Sequence, residues 1–88
     1  MTRHADMGNP DLALPLAEEA LHVNRFTVGD MSEETLDSVG MVADVHRIKK
    51  DFEAALPLAL EALAGRRIVL GNEHAHTLLS ITQLALIY

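Results

Sequence analysis

Five histidines and thirteen carboxylates, with no cysteine, are the side chains through which this 88-residue sequence could do acid–base or metal chemistry. His74 and His76 form the closest histidine pair, with Glu73 beside them. Positions two apart do not share a helix face, so this pair could meet only at a loop-to-helix edge. A zinc site would still need a fourth ligand, and none stands nearby. Glu18 and His22 are spaced i,i+4, which suits a metal or a general base, but the same spacing describes an ordinary solvated helix pair. His46 follows an apolar series and reads as a packed side chain at a helix seam. Serine, histidine and aspartate all occur, yet no nucleophile elbow, phosphate-binding loop or HExxH spacing appears. The expectation is therefore no enzyme, no metal and no cofactor.

The elements that would position these residues are helical. Asn9-Pro10 pairs an N-cap with a proline at the first helical position, and Gly29 is a natural stop, which predicts a helix over 9–28. Ser32 followed by Glu33 and Glu34 starts a second helix over 33–48. Asp51 caps a third, over 51–70, which Gly71 ends; a fourth runs over 74–88. Apolar periodicity turns Ala13, Leu14, Leu16, Ala17, Ala20, Leu21 and Phe26 inward from the first helix, and Leu36, Val39, Val42, Ala43 and His46 from the second. The third contributes Phe52, Ala55, Leu56, Ala59, Ala62, Leu63 and Ile68, and the fourth Leu78, Ile81, Leu84, Ala85 and Tyr88. Gly65, in mid-helix, costs about 1 kcal/mol against alanine. Pro15 and Pro57 recur at one place in their helices and read as a tolerated backbone feature.

Composition bounds the rest. The chain is one small domain, 1–88, with 49% hydrophobic and 23% charged residues, too apolar for disorder. Three aromatics leave a core of Leu, Ala, Val, Ile and Met. A formal charge of −6 speaks against nucleic acid and anionic membranes. The N-terminus has no signal-peptide core, no apolar run reaches membrane-spanning length, and the lack of cysteine fits a reducing compartment, so a cytoplasmic location is expected.

The strongest signal is internal. Laying 10–46 on 52–88 without a gap gives 14 identities in 37 positions, including Ala13-Leu14-Pro15-Leu16-Ala17 on Ala55-Leu56-Pro57-Leu58-Ala59, Arg25 on Arg67, Gly29 on Gly71, Thr35-Leu36 on Thr77-Leu78 and Ser38 on Ser80. A period in this range is the mark of a helical solenoid. The phrase Phe52-Glu53-Ala54-Ala55-Leu56-Pro57-Leu58, Glu61-Ala62-Leu63, Arg67, Leu70-Gly71-Asn72-Glu73-His74, Thr77-Leu78 and Leu84-Ala85-Leu86-Ile87-Tyr88 resembles the 42-residue tetratricopeptide variant of kinesin light chains. The resemblance covers residues 8–88. It implies an all-α, tetratricopeptide-like α-solenoid of antiparallel helix pairs wound in a right-handed superhelix.

The resemblance also sets the phase. The central pair, about 33–70, is the intact motif; 9–28 is a second helix, 74–88 a first helix, and residues 1–7 look like the remnant of a preceding one. Gly8 and Lys50 fall at the inter-helix glycine, and His74 at the loop histidine that orders the turn. With fewer than three repeats the chain is expected to be marginally stable or to self-associate through its terminal helices, as a segment of a longer array or a short diverged member. First helices line the peptide-receiving concave face in this family. That implies a groove from Asp37, Gly40, Met41, Asp44, Arg47, Ile48, Leu79, Thr82, Gln83 and Leu86. The family's asparagine pairs are replaced by Gly40-Met41 and Thr82-Gln83, and its basic clamp is absent, so a C-terminal carboxylate is not the expected ligand. The implied function is a non-catalytic scaffold for protein or peptide partners; the alternative is a stacking segment with no separate ligand.

Overall fold

The computed structural model describes residues 9–88 and contains four helices: α1 (Pro10–Thr27), α2 (Glu33–Ile48), α3 (Phe52–Val69) and α4 (Ala75–Ile87). The expected remnant of a preceding helix at 1–7, and Gly8, lie outside the described residues. Each helix begins on a side-chain cap. Asn9 accepts from the Asp11 N–H, Ser32 from Thr35, and Asp51 from Ala54. His74 takes that role for α4, its Nδ1 accepting from the His76 N–H at 3.1 Å. The first three helices stop on backbone that turns left-handed at Gly29, Lys50 and Gly71, with φ of 88°, 65° and 92°. Glycine adopts this conformation without strain; at Lys50 a side chain sits where the resemblance places a glycine.

The repeated threonines explain the repeated loops. Thr35 donates to the Gly29 carbonyl, and Thr77 to the Gly71 carbonyl at 2.8 Å and the Arg66 carbonyl at 3.2 Å. Both side chains are fully buried. Each hydroxyl ties the start of one helix to the end of the one before it, satisfying carbonyls that a helix C-terminus leaves open.

Consecutive helices pack against one another, so α2 lies between α1 and α3, and α4 extends the row beyond α3. The core is centred on α2 and α3: Leu36, Val39, Val42 and Ala43 meet Ala55, Ala59, Ala62 and Leu63. Alanines on α3 let the two backbones approach closely. The closest approach is at Gly65, where an added Cβ would stand 2.4 Å from Leu36 Cδ2. The mid-helix glycine is there because Leu36, only 1% exposed, occupies the space a side chain would need. Between α1 and α3, Arg25 forms a two-pronged pair with Glu61 at 2.7 and 3.1 Å and also reaches Asp30 at 2.7 Å. The hydrogen bonds to Glu61, then Asp30, raise the Arg25 guanidinium above its ordinary value.

Several residues expected inside are outside. Phe26 is 87% exposed and Ile68 75%, and Leu16, Ala20 and Phe52 also face solvent. On α1 and α3 apolar residues occur on both sides, so periodicity alone did not pick the buried one. On α4 the apolar stripe Leu78, Ile81, Ala85 and Tyr88 is open, and the buried stripe is Thr77, Ser80 and Gln83. The repeat equivalents on α2 show why: Thr35 and Ser38 bond back to Gly29 and Asn24 of the preceding turn and helix, whereas Leu36, the equivalent of Leu78, packs on Gly65 of the following one. Among the described residues α4 packs chiefly on the helix before it.

Candidate functional site

Alongside α3, helices α2 and α4 run in the same direction, because Asp37 lies by His76 (3.6 Å) and Asp44 by Gln83 (2.9 Å). They touch only lightly. The space between them is an open groove of about 510 Å³, lined by Asp37, Gly40, Met41, Asp44 and Arg47 from α2, by Leu79, Thr82, Gln83 and Leu86 from α4, and by Arg66 from α3 at the floor. Nine of the ten residues singled out in the sequence thus share one surface. The tenth, Ile48, lines a separate apolar cavity of about 130 Å³ with Pro10, Ala13, Ala17 and Val45, on the far side of Met41 and Asp44.

Arg66 is the residue that sequence reasoning missed. It is 8% exposed, and its guanidinium donates to Asp37 Oδ1 (2.8 Å), Ser80 Oγ (2.7 Å) and the His76 carbonyl (3.3 Å). A buried cation needs such partners, because desolvation otherwise outweighs packing. A signal did exist. Asn24, its repeat equivalent, donates to Ser38 at 2.7 Å just as Arg66 donates to Ser80. A polar residue fourteen positions before a repeated serine marks one recurring inter-helix bond.

Gly40 leaves the floor open. A Cβ there would meet the Arg66 guanidinium at 3.5 Å, an ordinary contact, so the glycine is not sterically required. Gln83 ties the two walls together, its amide nitrogen donating to the Gly40 carbonyl (2.8 Å) and to Asp44 Oδ1 (2.9 Å). Arg47 leans back on Asp44 Oδ1 at 3.2 Å. The rims are apolar and exposed: Met41, Leu79 and Leu86.

The histidines do not converge. His74 and His76 stand edge to face, 5.3 Å between ring centres, and among the described residues no group of three His, Cys, Asp or Glu side chains could hold a metal. Glu18 and His22 are exposed, and His46 is packed at the end of α2, 3.8 Å from Asp51. No described helix is long and apolar enough to cross a membrane.

Helix pairs stacked in a row, with a groove between alternate helices, define an α-helical repeat protein of the solenoid class. The tetratricopeptide repeat family model matches residues 35–76, from the first turn of α2 through α3 into α4; the matching type is the 42-residue form found in kinesin light chains. Residues 35–76 thus carry a tetratricopeptide repeat. Such repeats generally mediate protein–protein interaction. No curated relative and no solved structure matches the chain.

Proposed function

We propose that this chain is a non-catalytic interaction scaffold that takes a peptide segment of a partner protein into the groove between α2 and α4. The observation that carries the reading is the groove itself: an open channel of about 510 Å³, apolar at its rims and hydrogen-bonded at its floor. Its size falls within the range of about 300–1,000 Å³ typical of ligand sites. Fixed polar groups below and exposed leucine and methionine above suit a peptide held partly by its backbone and partly by apolar side chains. Titrating the isotope-labelled protein with a dodecapeptide selected against it by phage display tests this. Amide shifts should concentrate on 37–47 and 79–86, and Asp44→Lys or Arg47→Glu should change the affinity while the helical circular dichroism stays as it was. Shifts centred instead on the exposed Phe26 and Ile68, which do not line the groove, would end the groove reading.

A second reading has its own observation. Leu78, Ile81 and Tyr88 are exposed, although the repeat equivalents of the first two, Leu36 and Val39, are buried against α3. A helix laid on that stripe would complete a further pair, so the chain could also serve as a stacking segment. Light scattering separates the two: obligate stacking between copies gives oligomers with no peptide added.

A further inference from the structure

Hydrogen-bond polarity at the groove floor selects the partner's chemistry. Gln83 has both amide protons engaged within the protein, on Gly40 and Asp44. The buried Arg66 guanidinium turns Nη1 to Ser80 and the His76 carbonyl and Nη2 to Asp37, and its Nε is buried without a partner. Among the described residues, every contact made by Asp37 and Asp44 goes through Oδ1. Their second oxygens take no partner, and the two side chains are 51% and 49% exposed. Gln83 Oε1 accepts nothing either. The strip from Asp37 to Asp44 therefore offers a ligand acceptors, two of them anionic. Seven residues, or two helical turns, separate the two carboxylates, about 10 Å at the usual rise. Leu79 and Leu86 stand at the same spacing on the facing helix. The net charge of −6 adds an attractive field for cations at longer range.

We infer that the groove takes a basic, apolar peptide segment: one whose lysine or arginine side chains donate to the free oxygens of Asp37 and Asp44 while its apolar side chains rest against Leu79 and Leu86. The inference rests on the groove reading above and adds the partner's charge to it. Both carboxylates are paired with arginines inside the protein, so an acidic segment would find those guanidiniums already engaged and the free carboxylate oxygens facing it. Among the described residues that line the groove, Arg47, folded back on Asp44, is the cation that such a ligand could reach at that end.

Three labelled dodecapeptides that alternate leucine with lysine, glutamine or glutamate, measured by fluorescence polarisation, test the pair of claims separately. Exposed charge pairs strengthen binding by a few-fold each. The lysine peptide should thus bind about 3–10-fold tighter than the glutamine peptide at 20 mM salt and lose that margin at 0.5 M. Asp44→Asn should lower the ratio of lysine-peptide to glutamine-peptide affinity. Asp37 is left intact because it neutralises Arg66. If glutamine and lysine peptides bind alike, or glutamate binds best, while Leu79→Ser still weakens all of them, the groove stands and the charge inference falls. If Leu79→Ser changes nothing, or no peptide binds at millimolar concentration, both fall together.

Discussion

Two glycines lie inside helices, and the structure assigns them opposite responses to the same substitution. In an unobstructed helix interior, alanine is favoured over glycine by about 1 kcal/mol. At Gly40 nothing opposes that gain, since the nearest atom to the new methyl, Arg66 Nη2, lies 3.5 Å away. Gly40→Ala should stabilise the protein by about 0.5–1 kcal/mol. At Gly65 the new methyl would stand 2.4 Å from Leu36 Cδ2, more than 1 Å inside carbon–carbon contact. Leu36 is 1% exposed, so it can move only by leaving its rotamer or pushing α2 from α3. Overpacking of this kind costs about 1–3 kcal/mol, which outweighs the helix gain and leaves Gly65→Ala about 1 kcal/mol less stable than the parent. The two variants should differ by about 1.5–2 kcal/mol, and their melting temperatures by about 6–16 °C for a domain of this size. Thermal melts followed by circular dichroism at matched concentration read this directly. A third protein checks the cause: in a Leu36→Val background the steric term shrinks, and Gly65→Ala becomes neutral or stabilising. If Gly65→Ala melts at or above the parent, or together with Gly40→Ala, the close α2–α3 approach is not what requires the glycine.

Further outcomes follow from named contacts. Lys50→Gly relieves a left-handed side chain and should raise stability by about 0.5–1 kcal/mol, read as a shift of the urea midpoint; an unchanged midpoint would mean the side chain carries no strain there. Thr77→Val keeps the shape but leaves the Gly71 and Arg66 carbonyls without the hydroxyl, so a loss of about 1–3 kcal/mol is expected by the same measurement. Glu61→Gln weakens a pair about one-third exposed, so the loss should stay under about 1 kcal/mol and shrink further in 0.5 M salt.

What the sequence made legible was whatever repeats or caps. Asn9, Ser32 and Asp51 are caps because a short polar side chain before an apolar series has little else to do there, and α2 carries its apolar faces unambiguously. The 42-residue period carried the phase, and phase is what assembled Asp37, Met41, Leu79 and Gln83 on one surface. Periodicity failed where a helix is apolar all round: nothing in α3 distinguishes Ile68 from Leu63 until α2 is present to cover one of them. It failed on α4 for a different reason. The face buried there is polar, held by Thr77, Ser80 and Gln83 through hydrogen bonds, and hydrophobic counting is blind to it. Arg66 escaped because burial of a cation is written in its partners, Asp37 and Ser80, which stand 29 residues before it and 14 after.

The Leu36–Gly65 contact also bears on whether the chain can grow end to end. Shifted by the repeat, Leu36 becomes Leu78 on the open face of α4, and Gly65 becomes Val23 on α1. A second copy laying its α1 on that face as α3 lies on α2 would find a matching charge, Arg67 opposite Glu19 in place of Arg25 opposite Glu61. It would also drive the branched side chain of Val23 into Leu78, where the existing contact has no room for a single methyl. Head-to-tail contacts between identical copies form rings where the rotation closes and open filaments where it does not. In that geometry a valine in place of the glycine opposes the protein's own copy as the next link and favours on α4 a helix that carries a glycine at that point; light scattering that shows oligomers without added peptide would overturn this.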